Sequence, residues 1–132
     1  MNSDKTALVK QFLETAISGD WEKLNSFCHK KFQVRESNAL PYEGIYKGVD
    51  GFRKLAKLIF VELFDDFVVE PQYFLEGENH VLLLANISGR GKKTGISFSS
   101  QVAEVYHFED KLIKEIQPFY WDTKLINKVL GT

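Results

Sequence analysis

Apolar residues recur along the first part of the chain at helical spacing. Val9, Phe12, Leu13, Ala16 and Ile17 fall three, four, seven and eight positions from the first and form one stripe. Ser3 or Asp4 stands where an N-cap is needed, and Gly19 follows where a left-handed residue ends a helix. Asp20 opens a short second helix with Trp21, Leu24 and Phe27/Cys28 on its buried side. Phe32, Val34 and Glu36 then alternate with Gln33 and Arg35, the period of a strand with one face inward. Ser37 to Lys47, holding Pro41 and Gly44, predicts a loop. Asp50 can cap a third helix, in which Phe52, Leu55, Ala56, Ile59, Phe60 and Leu63 keep the helical period.

After Asp65-Asp66 the period changes to two and stays there. Strands are expected at 67–76, 79–90, 94–109 and 112–121, joined by hairpin-sized connections at Gly77-Glu78-Asn79, Gly91-Lys92-Lys93 and Glu109-Asp110-Lys111. An amphipathic piece from Thr123 to Leu130 predicts a last short helix. Helices first and a long meander after is an α+β plan, with the helices packed on one face of the sheet. No linker, low-complexity tract or repeat interrupts 1–132, so one domain is expected.

Composition narrows the classes. Eleven Phe and five Tyr in 132 residues supply enough ring volume to wall a cavity as well as pack a core. The formal net charge of -1 comes from mixed charges, which excludes an electrostatic footprint for nucleic acid or for an anionic membrane. Cys28 is the single cysteine, so no internal disulfide forms and a reducing, cytoplasmic setting is expected. Met1 to Lys5 is polar, unlike a signal peptide. Apolar runs such as Val81 to Ala85 are strand length, too short to span a bilayer. Without a secretion signal, the sequon Asn86-Ile87-Ser88 reads as chance.

Specific chemical motifs are few. Cys28, His29, His80 and His107 lack metal-ligand spacing, and neither metal nor cofactor is expected. In Gly89-Arg90-Gly91-Lys92-Lys93-Thr94-Gly95 a lysine precedes Lys93-Thr94 where a phosphate-binding loop has glycine, so a charged hairpin is expected. The informative pattern is carboxylates on apolar strand faces. Glu104 shares its face with Val102, Tyr106 and Phe108, which predicts a carboxyl held neutral by burial. Glu36 ends the Phe32, Val34 face, where a carboxylate is placed to take a proton. Asp122 is a third acid, after Phe119-Tyr120-Trp121. Structural alternatives stay open for each: Glu36 in solvent, Glu104 ion-paired with Arg53 or a lysine, and Asp122 as a helix cap. His107 falls on the face opposite Glu104.

Several local marks resemble one superfamily: Ser18-Gly19-Asp20 between the first helices, Gly44-Ile45-Tyr46-Lys47-Gly48 before the third, the strand Glu104-Val105-Tyr106-His107-Phe108, and the closing Tyr120-Trp121-Asp122. In this order and spacing the chain resembles the nuclear transport factor 2-like cone fold, which includes ketosteroid isomerase and the SnoaL-like polyketide cyclases. The resemblance implies a cone-shaped α+β domain, three N-terminal helices on a curved, mainly antiparallel sheet around an apolar pocket. It places Glu36 where the isomerases keep a carboxylate base, Glu104 where they keep a protonated acid, and Asp122 near the acid of the cyclases. It places Phe12 where the isomerases need a tyrosine hydroxyl, a departure that argues against steroid isomerisation.

The expected function is a SnoaL-like small-molecule pocket acting by cofactor-independent proton transfer on an apolar carbonyl compound, as an isomerase, cyclase or lyase. Glu36, Glu104 and Asp122 are the candidate catalytic residues. Phe12, Tyr46, Phe60, Tyr106 and Tyr120 are expected to line the substrate. A non-catalytic ligand-binding module or a dimeric interaction domain of the same fold stands as the alternative. A homodimer through the outer sheet face is expected, with Val105 and Ile87 among its outward residues.

Overall fold

The computed structural model describes residues 4–132. Helix α1 (Asp4–Ser18) buries Val9 and Phe12; the candidate cap Ser3 lies outside the described residues. Gly19 ends this helix at φ 77°, donating its N–H to the carbonyls of Thr15 and Ala16. Asp20 caps α2 (Trp21–Asn25), its side chain accepting from the Lys23 N–H. Ile17, assigned to the apolar stripe, is instead 88% exposed, because the buried row of α1 runs through Thr6, Val9, Phe12 and Thr15.

Strand β1 (Cys28–Glu36) starts four residues before its clear alternation does, and the expected loop contains a short strand β2 (Gly44–Lys47) paired antiparallel with it. Helix α3 (Gly48–Lys57) begins before Asp50, with Lys47 in the cap position, so Asp50 sits in the first turn, where its charge favours the helix dipole. The helix then widens into a π-helical segment, Leu58–Leu63. That widening adds a residue per turn and shifts the apolar stripe. Ile59 stays buried, while Phe60 is half exposed and packs edge-on against Phe67.

Four long strands follow, β3 (Phe64–Glu76), β4 (His80–Gly91), β5 (Ser97–Glu109) and β6 (Leu112–Tyr120), then helix α4 (Thr123–Leu130). They match the expected meander, except that β3 begins earlier and Thr94-Gly95-Ile96 stay outside β5. The six strands run β2-β1-β6-β5-β4-β3, all neighbours antiparallel except β1 and β6. The charged hairpin at residues 89–95 is present, with Arg90 and Lys92 both paired to Asp65.

The helices cover one face of the sheet, and the core lies between. Register sets what faces it: Val81, Leu83, Ala85 and Ile87 of β4 stand opposite Tyr106, Glu104, Val102 and Ser100 of β5. Ile87 therefore belongs to the core, only 2% exposed, rather than to the outer surface. The two-residue period of β4 holds, and a shift of one residue in its phase is enough to exchange the two faces.

Candidate functional site

Two inner-face carboxyls define the site. On β5, Glu104 pairs in register with Pro118 of β6. On the other side of β6, Val34 of β1 pairs with Ile116, which puts Glu36 level with Pro118. Glu36 and Glu104 thus flank one proline, two strand spacings apart, or about 10 Å between backbones. The Glu104 charge acts on Glu36 across Pro118.

Glu36 is buried, 4% exposed, which excludes the solvent-facing alternative. Its Oε1 is enclosed and has no hydrogen-bond partner. Burial first, and the Glu104 charge second, push its carboxyl up to about 8. Glu104 is also raised by burial, but Tyr106 donates a hydrogen bond of 2.8 Å to its Oε1 and opposes that rise. The ion pair with Arg53 does not form; that guanidinium lies over the Trp21 ring. Glu104 keeps accessible surface although Val102, Tyr106, Leu83 and Pro118 around it are buried, so a water-sized space reaches it.

Tyrosines surround the pair. The Tyr42 and Tyr120 rings meet edge-on at 6.3 Å, and both hydroxyls are raised by burial and by the Glu36 charge. Tyr120 lies beside Tyr42, yet the buried Tyr42 hydroxyl completes no well-formed hydrogen bond. Tyr46 donates to the Tyr42 carbonyl at 2.9 Å and also senses Glu36. Its backbone is held by α3: a Cβ on Gly51 would stand 2.6 Å from the Tyr46 carbonyl carbon, so only glycine permits this approach. Phe12 forms the floor, packed edge-on against Phe32, Phe52 and Tyr106.

The structure thus gathers Glu36, Glu104, Tyr46, Tyr106 and Tyr120, with Phe12 beneath. Phe60 packs elsewhere, on Phe67. Asp122 is not with the pair: its carboxylate caps α4, accepting from the Leu125 N–H at 2.9 Å. Tyr42 is the residue that sequence reasoning missed, because it lies in a segment read as loop and has no periodicity to reveal its burial.

Parallel pairing of β1 with β6 ends at Val34 and Ile116. Beyond it the two strand ends line a cleft of about 340 Å³ that includes Arg35, Glu36, Asn38, Pro118, Tyr120 and Thr123. Glu36 therefore adjoins the surface as well as the interior.

One other cluster has ligand-type atoms: His29, Glu109 and Asp110 lie within 4.8 Å of one another. The His29 Nδ1 accepts from the Lys31 N–H, and its Nε2 stands 3.3 and 3.6 Å from the Glu109 and Asp110 carboxylates, an arrangement that suits a histidine–carboxylate contact. Cys28 is buried, and its thiol is pushed up to about 12, which makes it unreactive.

Residues 9–116 match the family model described as a SnoaL-like domain. A nuclear transport factor 2-like protein of unknown function from Burkholderia pseudomallei has the same fold, with TM-score 0.84 and 15% identity over 99% of this chain and 100% of that one. TerC, co-crystallised with polyporic acid, gives TM-score 0.81 and 13% identity over 98% and 100%. A Jannaschia protein described as a SnoaL-like polyketide cyclase gives 0.76 and 10% over 98% and 93%. No curated protein matches the sequence. No helix among the described residues is long and apolar enough to cross a membrane. With the family model spanning most of its length, the chain belongs to the SnoaL-like domain family, and its cone-shaped sheet has the fold of the nuclear transport factor 2-like structures.

Proposed function

We propose that this chain is a small-molecule pocket protein whose acid pair moves a proton on a largely apolar carbonyl compound without a cofactor. The observation that carries this reading is the inequality of the two inner-face carboxyls. Glu104 has a hydroxyl donor that favours its charged form, whereas Glu36 has none and is raised to about 8. The roles expected from sequence are therefore exchanged: Glu104 is the base and Glu36 the neutral acid. In the step, the Glu104 carboxylate takes a proton from the carbon beside the carbonyl as Glu36 gives its proton to the carbonyl oxygen, forming an enol. Reversal at another carbon returns both protons and isomerises the compound. A ligand-binding module without turnover is the second reading. Its support is that Phe12 supplies no donor and the Tyr106 hydroxyl is already occupied by Glu104.

The test is a thermal-shift panel of cyclic ketones and quinones, followed by NMR of each hit in labelled water. Proton exchange beside the carbonyl, reduced at least ~10²-fold by Glu104→Gln, is the expected result. Ligands that bind and acquire no label would leave the binding module.

We also propose a homodimer through the outer sheet face. Tyr73 and Leu75 of β3, Leu82 and Leu84 of β4, Val105 of β5 and Phe119 of β6 lie there in register. Tyr73, Leu75 and Phe119 are each more than half exposed in the single chain.

A further inference from the structure

The interior holds two carboxyls and no positive charge to meet them. Among the described residues, no lysine, arginine or histidine pairs with Glu36 or Glu104; Glu104 acts on Glu36, and the Tyr106 hydroxyl acts on Glu104. The basic side chains are spent outside: Arg35 on Glu115, Arg90 and Lys92 on Asp65, Lys114 on Glu109. Burying acids without a counter-charge is costly, and it is tolerated where a ligand brings the missing group.

Two further observations describe that ligand. The Glu36 Oε1 is buried and unpartnered in a residue 4% exposed, and the Tyr42 hydroxyl that senses it has Tyr120 as its hydrogen-bonding neighbour. Tyr42, Tyr46, Tyr106 and Tyr120 stand near the carboxyls, and aromatic residues in a water-poor site attract a cation. Carboxylate beside aromatic walls is the chemistry that recognises ammonium.

We propose that the compound taken into this interior carries a positively charged nitrogen on an apolar body. The pair is suited to one such charge. The Glu104 carboxylate, steadied by Tyr106, faces the ammonium group, while Glu36 remains protonated and adds a polar contact. An anionic compound meets like charge at the pair, while the Arg35 guanidinium at the cleft is already held by Glu115, so anions are disfavoured. The inference rests on reading the interior as a small-molecule site and does not depend on proton transfer.

Three probes with one ring and different charge separate the ideas: cyclohexylamine, cyclohexanone and cyclohexanecarboxylate, titrated into the full chain with the side-chain carboxyl carbons of Glu36 and Glu104 followed by NMR. Cyclohexylamine, which keeps its charge up to about pH 10, is expected to shift both carbons. It should bind at least about tenfold more tightly than the ketone, with the carboxylate not bound. Its affinity should fall as pH is lowered and the pair takes up protons, and Glu104→Gln should remove the preference. The wild-type pH series serves as the test should that variant not fold. Ketone binding equal to or better than amine binding overturns the charge inference while leaving the carbonyl reading in place. Amine binding that leaves both carbons unmoved, or an affinity flat with pH, overturns it as well. No binding of any probe overturns both.

Discussion

Tyr106 places its hydroxyl 2.8 Å from Oε1 of Glu104, two residues away on the same face of β5. The contact makes two otherwise similar acids different. Glu104 has a donor that stabilises its carboxylate, and Glu36 faces the same interior without one. Removing the hydroxyl removes the difference. In Tyr106→Phe the Glu104 carboxyl is expected to titrate higher than in the wild type, by NMR of its side-chain carbon. The lost hydrogen bond should also cost about 1–3 kcal/mol, since the acceptor is charged or left unpaired. An unchanged Glu104 titration would show that the hydroxyl does not govern it.

Glu36 predicts how stability depends on pH. Its folded value of about 8 lies above the ordinary carboxyl value, so between the two the folded chain holds a proton that the unfolded chain has released. Its contribution is fully present below about pH 4.3 and is lost as pH rises through about 8. Each unit of displacement corresponds to about 1.4 kcal/mol. In denaturant melts, Glu36→Gln should lose less stability than the wild type between pH 5 and 9, with the gap in its favour widest at the alkaline end. Parallel curves would mean that Glu36 is ionised in the fold.

Asp122 separates a structural acid from a catalytic one. Its side chain accepts from the Leu125 N–H and starts α4. Asp122→Ala should cost about 1 kcal/mol, and Asp122→Asn little, because asparagine caps as well. Any solvent proton exchange catalysed by the wild type should persist in Asp122→Asn. Its loss there, with stability intact, would return Asp122 to the chemistry.

Gly51 tests the support beneath Tyr46. A methyl group there meets the Tyr46 backbone rather than a movable side chain. Gly51→Ala is expected to destabilise by about 1–3 kcal/mol through overpacking, despite the better helix propensity of alanine. A stabilised variant in thermal melts would show that α3 and β2 shift apart freely.

The outer sheet face predicts self-association. Val105 stands between Leu82 and Gln117 in register on that face. Val105→Glu should convert a dimer to a folded monomer in sedimentation at tens of micromolar. A wild type already monomeric at that concentration would remove the proposal.

Much of this protein was determined locally. The stripe from Val9 to Phe12, the stop at Gly19, the alternation through Val102, Glu104, Tyr106 and Phe108, and the cap-ready Asp122 each declare an element within a few residues. Periodicity and capping are short-range properties, so they are legible in the chain itself. They were enough to set an α+β domain with Glu36 and Glu104 on apolar faces. The tertiary structure alone decided the rest. The phase of β4 depends on which side the helices cover, so Ile87 became core. The π-helical segment turned Phe60 away from the interior. Tyr42, in a segment without a pattern, became buried against Tyr120 at the end of β6. The unequal surroundings of Glu36 and Glu104 depend on distance and desolvation, which arise only when strands far apart in sequence stand side by side. Charge and burial at a site are properties of neighbours, and neighbours are chosen by folding.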